Sequence, residues 1–412
     1  MPVRLPTFRL LAAALALMIA SSGLWAAEGP ILVVPASPAV LHIDAPLPDR
    51  ASLEVASSRR LVEIDAAEVA VVATLVTSVA ADGTATSAQR VVASIPPREA
   101  ASGCRRFRLE PAEGPGDGAF RFDDVSEKSL GLWDGEQPVL VYNHGVITRE
   151  EIPEKEPRRS RSSYIHPLYG LRGEVLTDDF PRDHYHHHGV FWTWPHVGID
   201  GQEYDIWADR GIRQQFVSWL GRDAGFAGAA LGVENGWFVG DKKVMVERVW
   251  MRAFKPAGQT RAIDLELVWI PVEKPVTLWG AKGKSYGGLT IRFAVPSEKD
   301  STITVPAGRT TADLPDTPLV WADLTAKMKG ADAPSGGAVF VPPSHPDFPP
   351  TWLTRHYGPL CIGWPGVKPK TFQPGEVIRL EYRLWLHNDL PDVTAIQAAY
   401  DGYVAARTVH WE

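Results

Sequence analysis

Four of this chain's twelve histidines fall in one short stretch, Asp178-Asp179-Phe180-Pro181-Arg182-Asp183-His184-Tyr185-His186-His187-His188-Gly189. It runs straight into the apolar segment Val190-Phe191-Trp192-Thr193-Trp194. Imidazole titrates near neutral pH and is the commonest metal ligand. Acid–base catalysis needs one group that takes a proton and one that gives it. His166, His184, His186 and His187 are candidates for those roles. Asp183, Glu203 and Asp205 are carboxylates able to orient an imidazole, act as catalyst or hold substrate. A second chemistry is metal binding. If the stretch is a strand, alternation puts His184, His186 and His188 on one face. With Asp178 or Asp183 they would then offer a divalent ion two histidines and a carboxylate, a set that permits oxygenase or hydrolase chemistry. Adjacent His186, His187 and His188 cannot all face one ion on a regular strand.

Each candidate has a plainer reading. A histidine-rich run can scavenge metal at a surface or serve as structural hydrogen bonds. His166 precedes Pro167 in an extended segment, where a structural hydrogen bond is an equal account. Asp178 and Asp179 fit the capping of a turn. Trp192, Trp194 and Trp207 can form a stacking wall for a sugar ring, or can be core, as most tryptophans are. Arg292, close to Gly287 and Gly288, can grip a substrate carboxylate in a bidentate way or sit in an ion pair. Fifteen tryptophans in the chain also fit a non-catalytic carbohydrate-binding module. Passive sugar binding, however, has little need of clustered groups that titrate near neutrality.

The elements that must position these residues read as mainly β. Apolar residues alternate at Ile263, Leu265, Leu267 and Trp269, and again at Ile378, Leu380, Tyr382, Leu384 and Leu386. Further strands are expected at 71–79, 90–95, 138–146, 244–254, 289–295, 319–324 and 338–341. Gly, Pro and Asp punctuate the gaps, as in a sandwich of many short strands. One helix is expected from the spacing of Val393, Ile396, Tyr400, Tyr403 and Val404. The densely charged run 149–161 reads as a solvated excursion, and 341–350 is too Pro-rich for regular structure.

The first 26 residues have a basic start, an apolar run at 10–20 and small residues near Ala26, the pattern of a cleaved signal peptide. A periplasmic or secreted protein is therefore expected, with no membrane span after cleavage. Residues 27–125 read as an N-terminal β region and 126–412 as the main domain, with a flexible turn at 114–118. The net charge of −7 argues against general nucleic-acid binding. Cys104 and Cys361 can pair in an oxidising compartment or remain isolated thiols. No dinucleotide turn, nucleophile-elbow serine or His-Glu-x-x-His helix is present. Gly283-Lys284-Ser285 lacks the first glycine of a phosphate loop, having Leu278 in its place.

Several motifs together resemble the PmoA-like family of exported bacterial proteins. They are Tyr164-Ile165-His166-Pro167-Leu168-Tyr169, Gly173, Val175-Leu176-Thr177-Asp178-Asp179-Phe180-Pro181, Asp183-His184 and His186-His187-His188-Gly189. Gly287-Gly288-Leu289-Thr290-Ile291-Arg292, Tyr357-Gly358 and Pro374-Gly375-Glu376 leading into Tyr382-Arg383 continue the likeness, which runs from about residue 130 to the end. That family commonly has Pro and Arg where this chain has Tyr185 and His188, so an imidazole replaces a permanent cation. The resemblance implies a large twisted antiparallel β-sandwich with a C-terminal helix, similar to the mutarotase supersandwich. It further implies a His and a carboxylate facing a sugar ring. The expected partner is a small-molecule or oligosaccharide substrate, and the expected reaction is epimerisation, elimination or hydrolysis. A divalent metal remains the alternative cofactor.

Overall fold

The computed structural model describes residues 29–48, 59–98, 103–112 and 119–412. The expected signal peptide, 1–26, and the expected turn, 114–118, lie outside them. The chain is mainly β, and the expected antiparallel sandwich with a C-terminal helix is what forms.

Two nine-stranded sheets make the sandwich. The front sheet runs, in spatial order, through Leu314–Pro318, Thr351–Thr354, Pro359–Gly363, Gly288–Arg292, Val190–Thr193, Tyr164–Leu168, Gln137–Asn143, Ser129–Asp134 and Phe120–Ser126. The back sheet begins with the long strands Arg213–Ala224, Gly228–Val239, Lys242–Phe254, Thr260–Pro271 and Ile378–Asn388. It continues through Ser335–Phe340, Trp321–Ala326, Ser301–Val305 and Gly308–Thr310. One continuous apolar core fills the space between them, and Ile263, Leu265, Leu267 and Trp269 all point into it. Burying that many aliphatic and aromatic side chains is the main driving force for closing two sheets face to face.

At the centre of this core lies a charge. Glu247 is fully buried and accepts from Gln214 Nε2 at 2.8 Å, Asn235 Nδ2 at 2.9 Å, Trp237 Nε1 at 2.7 Å and Trp269 Nε1 at 2.9 Å. Four donors satisfy the carboxylate that burial would otherwise penalise.

The alternation in 261–269 predicts one buried face and one wet face, but nearly every position of that strand is buried. A third layer is the reason. Residues 31–111 form a seven-stranded sheet whose edge is the C-terminal strand His410–Trp411. Its Val76 and Val92 pack on Ala230, Phe254 and Ala262 of the back sheet's outer face. The helix Val393–Ala406 covers another part of that face, burying Ile396, Tyr400 and Tyr403 against Trp321, Phe340 and Trp385. Asp392 caps it, its Oδ1 accepting from Ala395 N at 2.7 Å.

A smaller four-stranded sheet, Gln202–Tyr204, His196–Ile199, Val276–Trp279 and Lys370–Phe372, adds Val197, Ile199, Val276, Leu278 and Phe372 to the same core. Cys104 is exposed and Cys361 buried, and both are free thiols. Among the described residues no helix is long and apolar enough to cross a membrane.

Candidate functional site

The histidine cluster does not form a strand. Residues 182–186 lie in two successive turns, and regular pairing resumes only at Val190. The ends are pinned by a bridge between Asp179 and His188, with Phe180 N donating to His187 O at 3.0 Å. Inside, His184 N donates to Pro181 O and His187 N to His184 O, each at 2.9 Å. The second turn brings residues three apart together, and the His184 and His187 rings stack at 4.6 Å with 7° between their planes. Gly189 closes the loop at φ +26°. A Cβ there would meet Ile165 O at 1.9 Å, so only glycine fits.

This geometry corrects the expected metal set. His188 turns away from His184 and His186 into the protein, where its Nδ1 lies 3.0 Å from Asp179 Oδ1. The other Asp179 oxygen accepts from Tyr164 OH at 3.0 Å and Arg149 Nη2 at 3.1 Å. Imidazole lone pairs lie in the ring plane, so the parallel rings of His184 and His187 cannot both address one ion. Among the described residues no group of three His, Cys, Asp or Glu is arranged to hold a metal.

The loop builds a cavity instead. It has a volume of about 230 Å³ and is lined by His184, His186 and His187, by Trp207 and Tyr286, and by Lys284, Arg355 and Tyr357, with Leu353, Pro359 and Cys361 completing the wall. Asp183 Oδ2 sits 2.8 Å from His184 Nδ1 and 3.1 Å from Arg292 Nη2. A carboxylate only accepts, so the His184 proton is placed on Nδ1 and the lone pair on Nε2. Arg292 also reaches His187 Nδ1 at 3.5 Å and lies 4.7 Å from the centre of the Tyr357 ring, which is itself parallel to His184. Arg292 pairs with Asp183 and does not belong to the cavity wall.

Burial governs the charge states. His187 is held well below the usual imidazole range by burial, reinforced by its neighbour His186 and by the positive charge of Arg292. His186 falls to about 3 for the same first reason, with His184 and Arg158 adding to it. Burial would raise the Asp183 carboxyl, but the His184 hydrogen bond and the Arg292 charge reverse this, and it lies below the usual value. Burial pushes the Tyr357 hydroxyl and the Cys361 thiol up to about 12 each, so both keep their protons at neutral pH.

The remaining sequence candidates divide. Trp207 lines the cavity, held edge-on to His187 at 6.0 Å. Trp192 and Trp194 are fully buried in the core, which corrects their expected place in a stacking wall. His166 lies off the cavity with its Nδ1 3.0 Å from Thr177 Oγ1. Glu203 is exposed and pairs with His196 at 2.7 Å, and Asp205 accepts from Ala208 N at 2.9 Å behind the wall. Neither lines the cavity.

The charged run 149–161 is exposed over most of 150–157, as expected of a solvated excursion, but its arginines turn back onto the protein. Arg149 reaches Asp179. Arg158, held by Glu156 at 2.6 Å, reaches His186 Nδ1 at 3.4 Å. Arg161 is buried against Ile206 O and Asp209. Sequence reading missed Lys284, Tyr286, Arg355 and Cys361 as wall residues. Only Tyr357 carried a signal, through the Tyr357-Gly358 motif.

The fold and cavity define a class: a layered antiparallel β-sandwich with an Asp–His pair at the edge of a small polar cavity. Within that class the chain belongs to the family of unknown function DUF6807, which matches residues 131–401 and so spans the loop and most of both sandwich sheets. No curated protein matches the chain. Among solved structures it is similar to 4-alpha-glucanotransferase from Thermococcus litoralis, at 11% identity and a TM-score of 0.23, over 66% of this chain and 40% of that one. A likeness so slight carries no argument about the site.

Proposed function

We propose that this protein is an exported enzyme that performs acid–base chemistry on a sugar. The observation that carries the reading is the Asp183–His184 pair, 2.8 Å apart, with His184 on the wall of a small polar cavity and Asp183 behind it. Asp183 fixes the His184 tautomer and stabilises the imidazolium that forms when His184 takes a proton. His187 is uncharged and so can accept or pass on a hydrogen bond without adding charge. Tyr357 keeps its proton and serves as an O–H donor to a substrate oxygen. Trp207 and Tyr286 supply flat apolar area of the kind that packs on a sugar ring. The signal-peptide pattern of the first 26 residues supports a periplasmic or secreted location, where such substrates are met.

The test is an NMR screen of purified protein against mono- and oligosaccharides. Conversion is expected, and His184→Ala should lower its rate by about 10²–10⁴-fold, the usual worth of a general acid or base. Asp183→Asn should retain part of the rate with a displaced pH profile. Unchanged turnover in His184→Ala would overturn the reading. Binding without conversion would favour a carbohydrate-binding module.

A further inference from the structure

The cavity has a charge character that acid–base chemistry alone does not require. Lys284 and Arg355 line it, while no Asp or Glu belongs to its wall. Arg355 Nη1 is bonded to Asp313 at 3.0 Å, which fixes the guanidinium and leaves its other N–H groups for a ligand. Lys284 is exposed at the rim and has no ion-pair partner among the described residues. Asp183, off the wall, is already shared between His184 and Arg292, and Asp313 between Arg355 and His356. Arg158 stands behind His186. Protonating His186 or His187 would add to this positive field, and both remain neutral. An enzyme for neutral sugars gains nothing from a pair of cations facing an empty wall.

We propose that the substrate is a carboxylated sugar, a uronate-type ring whose carboxylate is held by Lys284 and Arg355. The inference rests on the sugar reading of the site and names its substrate class. One ammonium and one guanidinium suit a single carboxylate. Trp207, Tyr286 and Tyr357 line the cavity with aromatic surface, and its volume of about 230 Å³ is that of a small ligand. The class also suits His184. When the C–H bond next to a carboxylate breaks, the proton goes to His184 and the electron pair spreads into the carboxylate. The Arg355 guanidinium, held by Asp313, and the Lys284 ammonium there offset the added charge as it develops. Neither sugar hydroxyls nor a neutral hydroxymethyl group would make use of them.

The test is calorimetric titration of the full chain with the methyl glycosides of glucuronate and galacturonate, against the neutral glucoside and galactoside and against acetate. At least one uronate should bind about tenfold or more tightly than its neutral parent, the worth of one charge-assisted contact. That margin should shrink with added salt. Lys284→Met, at an exposed side chain that leaves the fold intact, should remove most of the margin between uronate and neutral sugar. Equal affinity for uronate and neutral sugar, or an unaltered margin in Lys284→Met, would overturn the inference while leaving the sugar reading standing. Acetate binding as tightly as the uronates would also overturn it, showing a general anion site. No binding of any sugar would sink both readings together.

Discussion

At the residue scale, the loop separates histidines that look alike in sequence. His184 and His187 share a stack at the cavity, His186 leans on Arg158, and His188 is sealed beside Asp179. The separation has a thermodynamic consequence. Burial lowers His188 to about 4, although its hydrogen bond to Asp179 opposes the shift. An imidazole whose folded value lies below its unfolded value of about 6.5 binds protons better when unfolded. Stability should therefore fall as pH drops from about 6.5 towards 4 and stop responding to this group below that. The slope is at most about 1.4 kcal/mol per pH unit for each such imidazole. Urea unfolding across that range, compared with His188→Gln, should show a shallower acid slope in the variant. Identical slopes would mean that Asp179 keeps His188 charged. None of this was visible in the spacing of the run. The sequence placed chemistry in 183–188, but the metal set held only if the run were a strand, which would have grouped His184 with His188. What decided otherwise was the pair of turns, and their hydrogen bonds are backbone contacts with no side-chain signature.

At the element scale, the site depends on how the loop 179–188 is clamped between strands. Val190–Thr193 pairs with Gly288–Arg292, so Arg292 and the histidine loop stand at the same end of adjacent strands. Asp178 N donates to Arg292 O at 2.9 Å, and Arg292 N to Gly189 O at 2.8 Å. Gly189 is the narrow point of this clamp. Gly189→Ala would force its Cβ into Ile165 O and demand a positive φ from alanine. Strain of this kind costs about 1–3 kcal/mol. It should be relieved by moving the loop, so the variant is expected to melt lower and to lose turnover together. A variant that melts lower yet keeps full activity would separate the clamp from the site. The long alternating strands were legible in sequence because one face of each meets the core. Arg213–Ala224 was not, because its exposed polar residues include Ser218 and Arg222, and it pairs on one side only, at the sheet's edge. The inward arginines of the run 149–161 were not legible because charge runs are usually solvated, whereas Arg149 meets Asp179 on the histidine loop and Arg161 meets Asp209 beyond it.

At the scale of the whole molecule, the question is whether the N-terminal sheet is an independent unit. A boundary near residue 125 was a reasonable sequence reading, because composition changes there and the chemistry follows it. The structure ties the layers together in several ways. The strand Ile31–Pro35 pairs with His410–Trp411, so the two ends of the chain close one sheet. Arg383 of the back sheet binds Asp264 at 2.6 Å and donates to His42 O at 3.0 Å. Trp250 Nε1 donates to Gly83 O at 2.9 Å across the same seam. Between these polar ties lies the dry patch of Val76, Val92, Ala230, Phe254 and Ala262. Separating the layers would expose that patch and take the acceptors His42 O and Gly83 O away from Arg383 and Trp250, so partial unfolding is costly. The layers should therefore melt as one. Scanning calorimetry is expected to give a single transition, with calorimetric and van't Hoff enthalpies in agreement. Phe254→Ala, which opens a cavity in the seam, should destabilise that transition by about 3–5 kcal/mol without splitting it. Two resolved transitions, with Phe254→Ala shifting only the first, would show instead that the N-terminal sheet folds alone and that the outer face of the sandwich tolerates water.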